Sequence, residues 1–208
     1  MGLFKIKKNK EVMVVFGSPN QQGHTGTILS EFLRDFEAAE DWHLTQFSAY
    51  DLNAHPCTGC KACAKKGQCV FKDLEDFDKK LRQCDLLVWA SPIYNSSFPA
   101  PMKAILDRTQ RYFESRFSLN IKLPIKKHRK AVLLLSMGSD DAFGIDVAHY
   151  QLKRAFSVMN TELVGCAVWR ATDLGVKNRA EALVEAHKLA RVILDEPEGK
   201  KKEESQGE

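Results

Sequence analysis

The chain has 208 residues, 44% hydrophobic and 28% charged, which suits one well-filled soluble domain of the usual ~100–200 residues and excludes disordered, collagen-like and disulfide-stapled classes. The balance of 31 Lys+Arg against 27 Asp+Glu leaves +4, scattered along the chain, so neither nucleic acid nor a membrane surface is expected as a partner. No run approaches the ~18 uninterrupted apolar residues of a membrane span.

The basic opening, Met1 to Lys10, leads straight into an apolar run, without the apolar region or small-residue cleavage site of a signal peptide. Ile6 stands where N-myristoylation wants Ser or Thr, and a cytoplasmic location is the expectation. Val12 to Phe16 reads as a strand buried on both faces. Gly17-Ser-Pro-Asn-Gln-Gln-Gly-His-Thr-Gly26 follows, and then helical spacing at Ile28, Leu29, Phe32 and Phe36. Such a strand-to-helix turn presents backbone N–H groups and the positive end of a helix dipole, which suits a phosphate. Ser18 and Thr25 add hydroxyls, Asn20 and His24 add polar groups, and the loop holds no Lys or Arg. It matches neither G-x-G-x-x-G nor G-x-x-x-x-G-K-[ST], so neither a dinucleotide pyrophosphate nor a triphosphate with Mg²⁺ is its natural guest. The plainer reading is an ordinary turn with Thr25 as the helix N-cap.

A more polar run from His43 to Ser48 reads as an edge strand. Next comes His55-Pro-Cys57-Thr-Gly-Cys60-Lys-Ala-Cys63-Ala-Lys-Lys-Gly-Gln-Cys69, with spacing C-x₂-C-x₂-C-x₅-C. Four of the six cysteines crowd here in a chain without an export signal, which favours metal or redox chemistry over disulfides. Short x₂ spacings let thiolates converge on one [4Fe–4S] cubane, and the glycine-containing x₅ segment lets Cys69 return to it. Structural zinc is the weaker match, because tetrahedral Cys₄ sites usually join two separated pairs. Lys61, Lys65 and Lys66 are expected to lower nearby thiol pKa values. Cys84 and Cys166 read as small core residues.

Leu74, Phe77 and Leu81 have helical spacing, and Asp85 to Ala90 reads as a buried strand. After it, Ser91-Pro-Ile-Tyr-Asn-Ser-Ser-Phe-Pro-Ala-Pro-Met-Lys103 offers flat apolar surface among hydroxyls and amides, a combination suited to an aromatic ring with polar edges. One helix is expected from Met102 through Ile105, Leu106 and Thr109 to Phe113. Nine Lys/Arg lie between Lys103 and Lys130 against Asp107 and Glu114; the plain reading is a solvated face, and the sharper one is docking of an acidic electron carrier or of the 2′-phosphate of NADPH. Ala131 to Ser136 is the next buried strand, followed by Ser136-Met-Gly-Ser-Asp-Asp141, where Gly138 permits close backbone approach. Helical spacing at Leu152, Ala155, Phe156 and Met159, a strand from Leu163 to Trp169, and helical spacing at Leu183, Val184, His187, Ala190 and Ile193 complete the pattern. Residues 1–194 are read as one unit with a cysteine-rich loop at 55–70, and 195–208 as a disordered charged tail. Alternating strands and helices demand right-handed crossovers, hence a three-layer α/β sandwich with five parallel strands. Ligands then bind beyond the carboxyl ends of the strands, in the loops after Phe16, Ala90 and Ser136.

Gly17-Ser-Pro, Cys57-Thr-Gly-Cys-Lys-Ala-Cys, and Ser91-Pro-Ile-Tyr followed by Pro101-Met-Lys-Ala-Ile-Leu-Asp-Arg108 together resemble the NAD(P)H-dependent FMN reductase superfamily. Within it the likeness is to the iron–sulfur flavoprotein branch and its cluster-less relatives, and runs from about Val12 to Trp169. The resemblance implies a flavodoxin-like fold, FMN, and NAD(P)H as donor to a small acceptor such as a quinone, a flavin or a metal ion. It implies FMN phosphate on Ser18, Asn20, His24 and Thr25, and the isoalloxazine against Pro92, Ile93, Tyr94 and Asn95, with Ser136 and Gly138 at its far edge. It implies either a [4Fe–4S] cluster on Cys57, Cys60, Cys63 and Cys69, fed by a ferredoxin-like carrier, or a cysteine segment that only caps the flavin. A flavin- or metal-binding redox sensor without turnover is the non-enzymatic alternative. By analogy the protein is expected to be a homo-oligomer.

Overall fold

A computed structural model describes residues 9–175 and 178–195. Strands β1 (Lys10–Phe16), β2 (Trp42–Ser48), β3 (Leu86–Pro92), β4 (Arg129–Ser136) and β5 (Thr161–Trp169) pair in parallel in the order β2-β1-β3-β4-β5. The helices are α1 (His24–Glu37), α2 (Ala49–Leu52), α3 (Ala62–Lys66), α4 (Glu75–Gln83), α5 (Ala100–Arg108), α6 (Gln110–Phe117), α7 (Phe143–Ser157) and α8 (Arg179–Leu194). Successive strand residues point to opposite faces. Val12, Val14 and Phe16 therefore join Leu86, Val88, Val132 and Leu134 in a core closed by α1 and α8. Met13 and Val15 join Leu87, Trp89, Leu133 and Leu135 in a second core under α4, α5 and α7. This is the flavodoxin-like three-layer sandwich, and its strand order reverses between β1 and β3, which fixes the ligand crevice at their carboxyl ends.

Several local expectations are corrected. β5 is an edge strand with only its last residues fully buried, and Cys166 is half-buried rather than central. Its register against β4 slips at Ala131/Val132, so Val164 is the extra residue of a bulge. The single helix expected over 102–113 is two, broken at Thr109, whose N–H and hydroxyl both donate to the Leu106 carbonyl (3.0 and 2.7 Å) and tighten the turn. On α8 the buried stripe is Ala182, Ala186, Ala190 and Ile193, while Val184 is exposed, because small side chains let α8 approach α1 closely. The basic run is not uniformly a solvated face, since Arg108 and Arg129 are 5% and 1% exposed. Of the tail, residues 196–208 lie outside the described residues. No helix among the described residues is long and apolar enough to cross a membrane.

Candidate functional site

The loops after β1, β3, β4 and β5 meet around a cavity of about 790 Å³ at the carboxyl end of the sheet. Ser18, Asn20, His24, Thr25, Pro92, Ile93, Tyr94, Asn95, Ser136 and Gly138 all line it. The β1–α1 loop is braced from within. Asn20 N–H donates to the Ser18 hydroxyl (3.2 Å), which donates back to the Asn20 carbonyl (3.1 Å), and Gln22 N–H donates to Asn20 Oδ1 (3.0 Å).

Gly23, not Thr25, is the N-cap of α1, and no side chain caps this helix. Its first turn carries no acidic residue, so the N–H groups there face the cavity loop without an internal carboxylate. Thr25 lies inside the helix and its hydroxyl shares a 2.7 Å hydrogen bond with Ser136, tying α1 to β4. The His24 ring packs edge-on to Trp169 at 4.6 Å. Gly26 is required by close approach: a Cβ there would fall 1.8 Å from the Gln21 carbonyl oxygen, so the loop can fold over the helix start only without one. The lining includes no Lys or Arg, and the start of α1 has neither a side-chain cap nor an acidic residue in its first turn.

Beyond Pro92 the chain makes a tight reversal in which Tyr94 and Ser97 exchange backbone hydrogen bonds (2.9 and 3.0 Å), with Asn95 and Ser96 both at positive φ (49° and 56°). This is the geometry of a type I′ turn, and it sets the Asn95 amide and Ser96 hydroxyl at the rim while Tyr94 is 48% exposed. Ile93 N–H donates to the Ser136 carbonyl at 2.8 Å, so the β3 and β4 walls move together. Six further residues, Gly23, Ser96, Met137, Ser139, Thr172 and Asp173, also line it. Thr172 and Asp173 come from a short 3₁₀ turn after β5, a segment whose sequence carries no glycine-rich or proline signal.

The four clustered cysteines sit on a separate loop between β2 and β3. Cys57 and Cys60 are exposed, Cys63 and Cys69 are half-buried, and all are free thiols. Among the described residues no three His, Cys, Asp or Glu side chains gather closely enough to hold a metal ion. The lysines do not depress Cys63: burial pushes its pKa up, helped by Glu114. Burial also pushes Cys84 up to about 11 and Cys166 up to about 12, so both stay protonated at neutral pH.

The neck of this loop is closed by a residue that the sequence reading took for surface charge. The Arg108 guanidinium, at the end of α5, donates to the carbonyls of His55 (2.8 Å) and Phe71 (3.1 Å) and to both oxygens of Asp73 (2.7 and 3.0 Å). The His55 N–H donates to Asp73 at 2.7 Å, and the His55 and Phe71 rings stack at 3.8 Å. Burial opposes ionisation of Asp73, but the hydrogen bonds and charge of Arg108 and the His55 N–H outweigh it and hold the carboxyl below its usual range.

A family model described as NADPH-dependent FMN reductase matches residues 11–173. The chain is 31% identical over 102 residues to an iron-sulfur flavoprotein of Methanocaldococcus jannaschii, a match spanning 48% of this chain and 52% of that protein. It thus matches about half the length of that relative, whereas an iron-sulfur flavoprotein of Archaeoglobus fulgidus is 24% identical with 90% of this chain and 99% of that one covered. Among solved structures, the NAD(P)H:quinone oxidoreductase from Methanothermobacter marburgensis shares the fold, with TM-score 0.69, 16% identity, and 92% and 99% of the two chains covered. With the family model spanning most of its length, the chain belongs to the NADPH-dependent FMN reductase family.

Proposed function

We propose that the protein is an FMN-dependent NAD(P)H oxidoreductase that reduces a small acceptor such as a quinone, a flavin or a metal ion. Residues 1–194 serve as one FMN-binding unit, and the active form is a homo-oligomer. The observation that carries the reading is the cavity at the strand-order reversal, where an uncapped helix start meets a flat, amide-rimmed loop. The residues present fit the group. Ser18, Asn20, Thr25 and the first-turn N–H groups of α1 would hold the phosphate, with His24 braced beside them on Trp169. Pro92, Ile93, Tyr94 and Asn95 would face one side of the ring, with Ser136 and Gly138 at its edge. When bound, FMN supplies hydride acceptance and the onward transfer of electrons. The chain orients it: the Thr25–Ser136 and Ile93–Ser136 bonds lock the walls, and Asn95 and Ser96 offer polar contacts at the rim.

A second reading is favoured by the cysteine loop. Four free thiols on a loop whose neck is clamped by a buried arginine have the donor chemistry of an iron–sulfur site, as the names of the relatives suggest. In that case Cys57, Cys60, Cys63 and Cys69 would hold a [4Fe–4S] cluster, with an acidic ferredoxin-like carrier as partner. The test is anaerobic purification with a visible spectrum, FMN quantification, and iron and acid-labile sulfide analysis, followed by turnover with NADH and NADPH. Flavin without iron, reduced by NAD(P)H, supports the first reading. Flavin with about four irons per chain supports the second, and no flavin after reconstitution overturns both.

A further inference from the structure

Among the residues that line the flavin cavity there is no Lys or Arg and one carboxylate, Asp173. Its placement is built rather than incidental. The chain leaves β5 and turns at Ala171, held at φ 58°, and the segment is then sewn to the β4 loop. Ala171 N–H donates to Ser139 (2.9 Å), Thr172 N–H and hydroxyl donate to Met137 (3.0 and 3.1 Å), and Asp173 N–H donates to Gly138 (3.3 Å). The carboxylate lies directly over Gly138, where a Cβ would fall 2.2 Å from Oδ2, so the absence of a side chain at 138 is what lets the charge sit there. No hydrogen-bond or ion-pair partner neutralises the Asp173 carboxylate among the described residues.

We propose that Asp173 sets the reduction potential of FMN bound in this cavity, holding it below the value a neutral side chain would allow. The inference rests on FMN occupying the cavity. FMN bound there would take two electrons and one proton as a hydride from NAD(P)H, releasing NAD(P)⁺, and would carry a negative charge until protonated from solvent. A fixed negative charge on the wall disfavours that anion, as any like charge does, and charge near the ring nitrogens is an established lever on flavin electronics. The same carboxylate repels phosphate, which reinforces the orientation with phosphate on the α1 start and the ring against the β3 and β4 walls. The consequence is a flavin that, once reduced, is a stronger donor to its acceptor.

The experiment is an anaerobic reductive titration of FMN-loaded protein against reference dyes, comparing wild type with Asp173→Asn, Asp173→Ser and Asp173→Glu. Both neutral variants should raise the reduction equilibrium constant at least tenfold, about 30 mV for a two-electron couple. The Glu variant should stay near wild type, and the ratio of FMN to riboflavin affinity should change less than threefold in all. Potentials that do not move, or that fall, in the neutral variants overturn the role of Asp173. So does an Asn variant that tightens FMN selectively over riboflavin at unchanged potential, since that places the charge beside the phosphate. A wild-type protein that takes up no flavin removes instead the reading of the cavity.

Discussion

Replacing Arg108 with Ala removes a guanidinium that is 5% exposed and satisfies four acceptor atoms on both sides of the cysteine loop. It strands two carbonyls and leaves the Asp73 carboxylate with its His55 N–H bond. Breaking a buried pair costs roughly 3–5 kcal/mol, and because the Asp73 side chain is 25% exposed and can recruit water, the lower end of about 3 kcal/mol is expected. For a chain of this size that corresponds to a melting temperature lower by roughly 6–12 °C if the loss is global. Arg108→Lys should recover little, because a point charge cannot span the two carbonyls and the carboxylate together. Asp73→Asn combined with Arg108→Ala should cost less than the sum of the single changes by about 1–2 kcal/mol, the mark of a direct partnership. The assay is urea unfolding of the FMN-loaded protein with hydrogen exchange across 55–73. An Arg108→Ala protein within 1 kcal/mol of wild type, with unchanged exchange at the neck, would refute the reasoning.

Ser18→Ala with Thr25→Ala should weaken FMN by ~100-fold or more, taking roughly 1.5–3 kcal/mol for each hydrogen bond to a charged group, yet leave riboflavin affinity nearly unchanged; equal losses in calorimetric titration would sink the phosphate assignment. Gly26→Ala drives a methyl group into the Gln21 carbonyl and should displace the loop, lowering FMN affinity at least tenfold while the far-ultraviolet spectrum stays native. Because Asp73 ionises more readily folded than unfolded, its contribution is full above the ordinary carboxylate range of ~4 and is lost as pH falls through the lowered folded value. The stability advantage of wild type over Asp73→Asn, from denaturant titrations at several pH values, should therefore shrink only below about pH 4; a gap constant to pH 2 contradicts it.

The architecture was legible because each buried strand announces itself as a dense apolar run and the loop after it is set by the parallel topology. That rule brings together the loops after Phe16, Ala90 and Ser136, and the family resemblance picks Ser18, Pro92 and Ser136 out of them. What escaped notice lacked a local signature. Thr172 and Asp173 belong to the cavity because β5 ends beside β4, and a Thr-Asp-Leu turn looks like any other connector. Arg108 resembled its charged neighbours, and only the fold shows that the end of α5 abuts the loop neck. On α8 the spacing picks out Ala190 and Ile193 correctly but misses Ala182 and Ala186 and includes the exposed Val184, because alanine is a weak hydrophobic marker although a close helix pair favours it.

The pairing of α1 with α8 has a bearing on how the chain is made. α8 follows every strand of the sheet in the chain, so the layer that Ile28, Leu29, Phe32 and Phe36 build on β1, β3 and β4 is closed only once residues 179–194 are in place. Contacts between segments this far apart in sequence carry a closure entropy and form late. A chain interrupted before residue 179 should therefore expose the side of this layer that α8 covers, an apolar surface prone to aggregation.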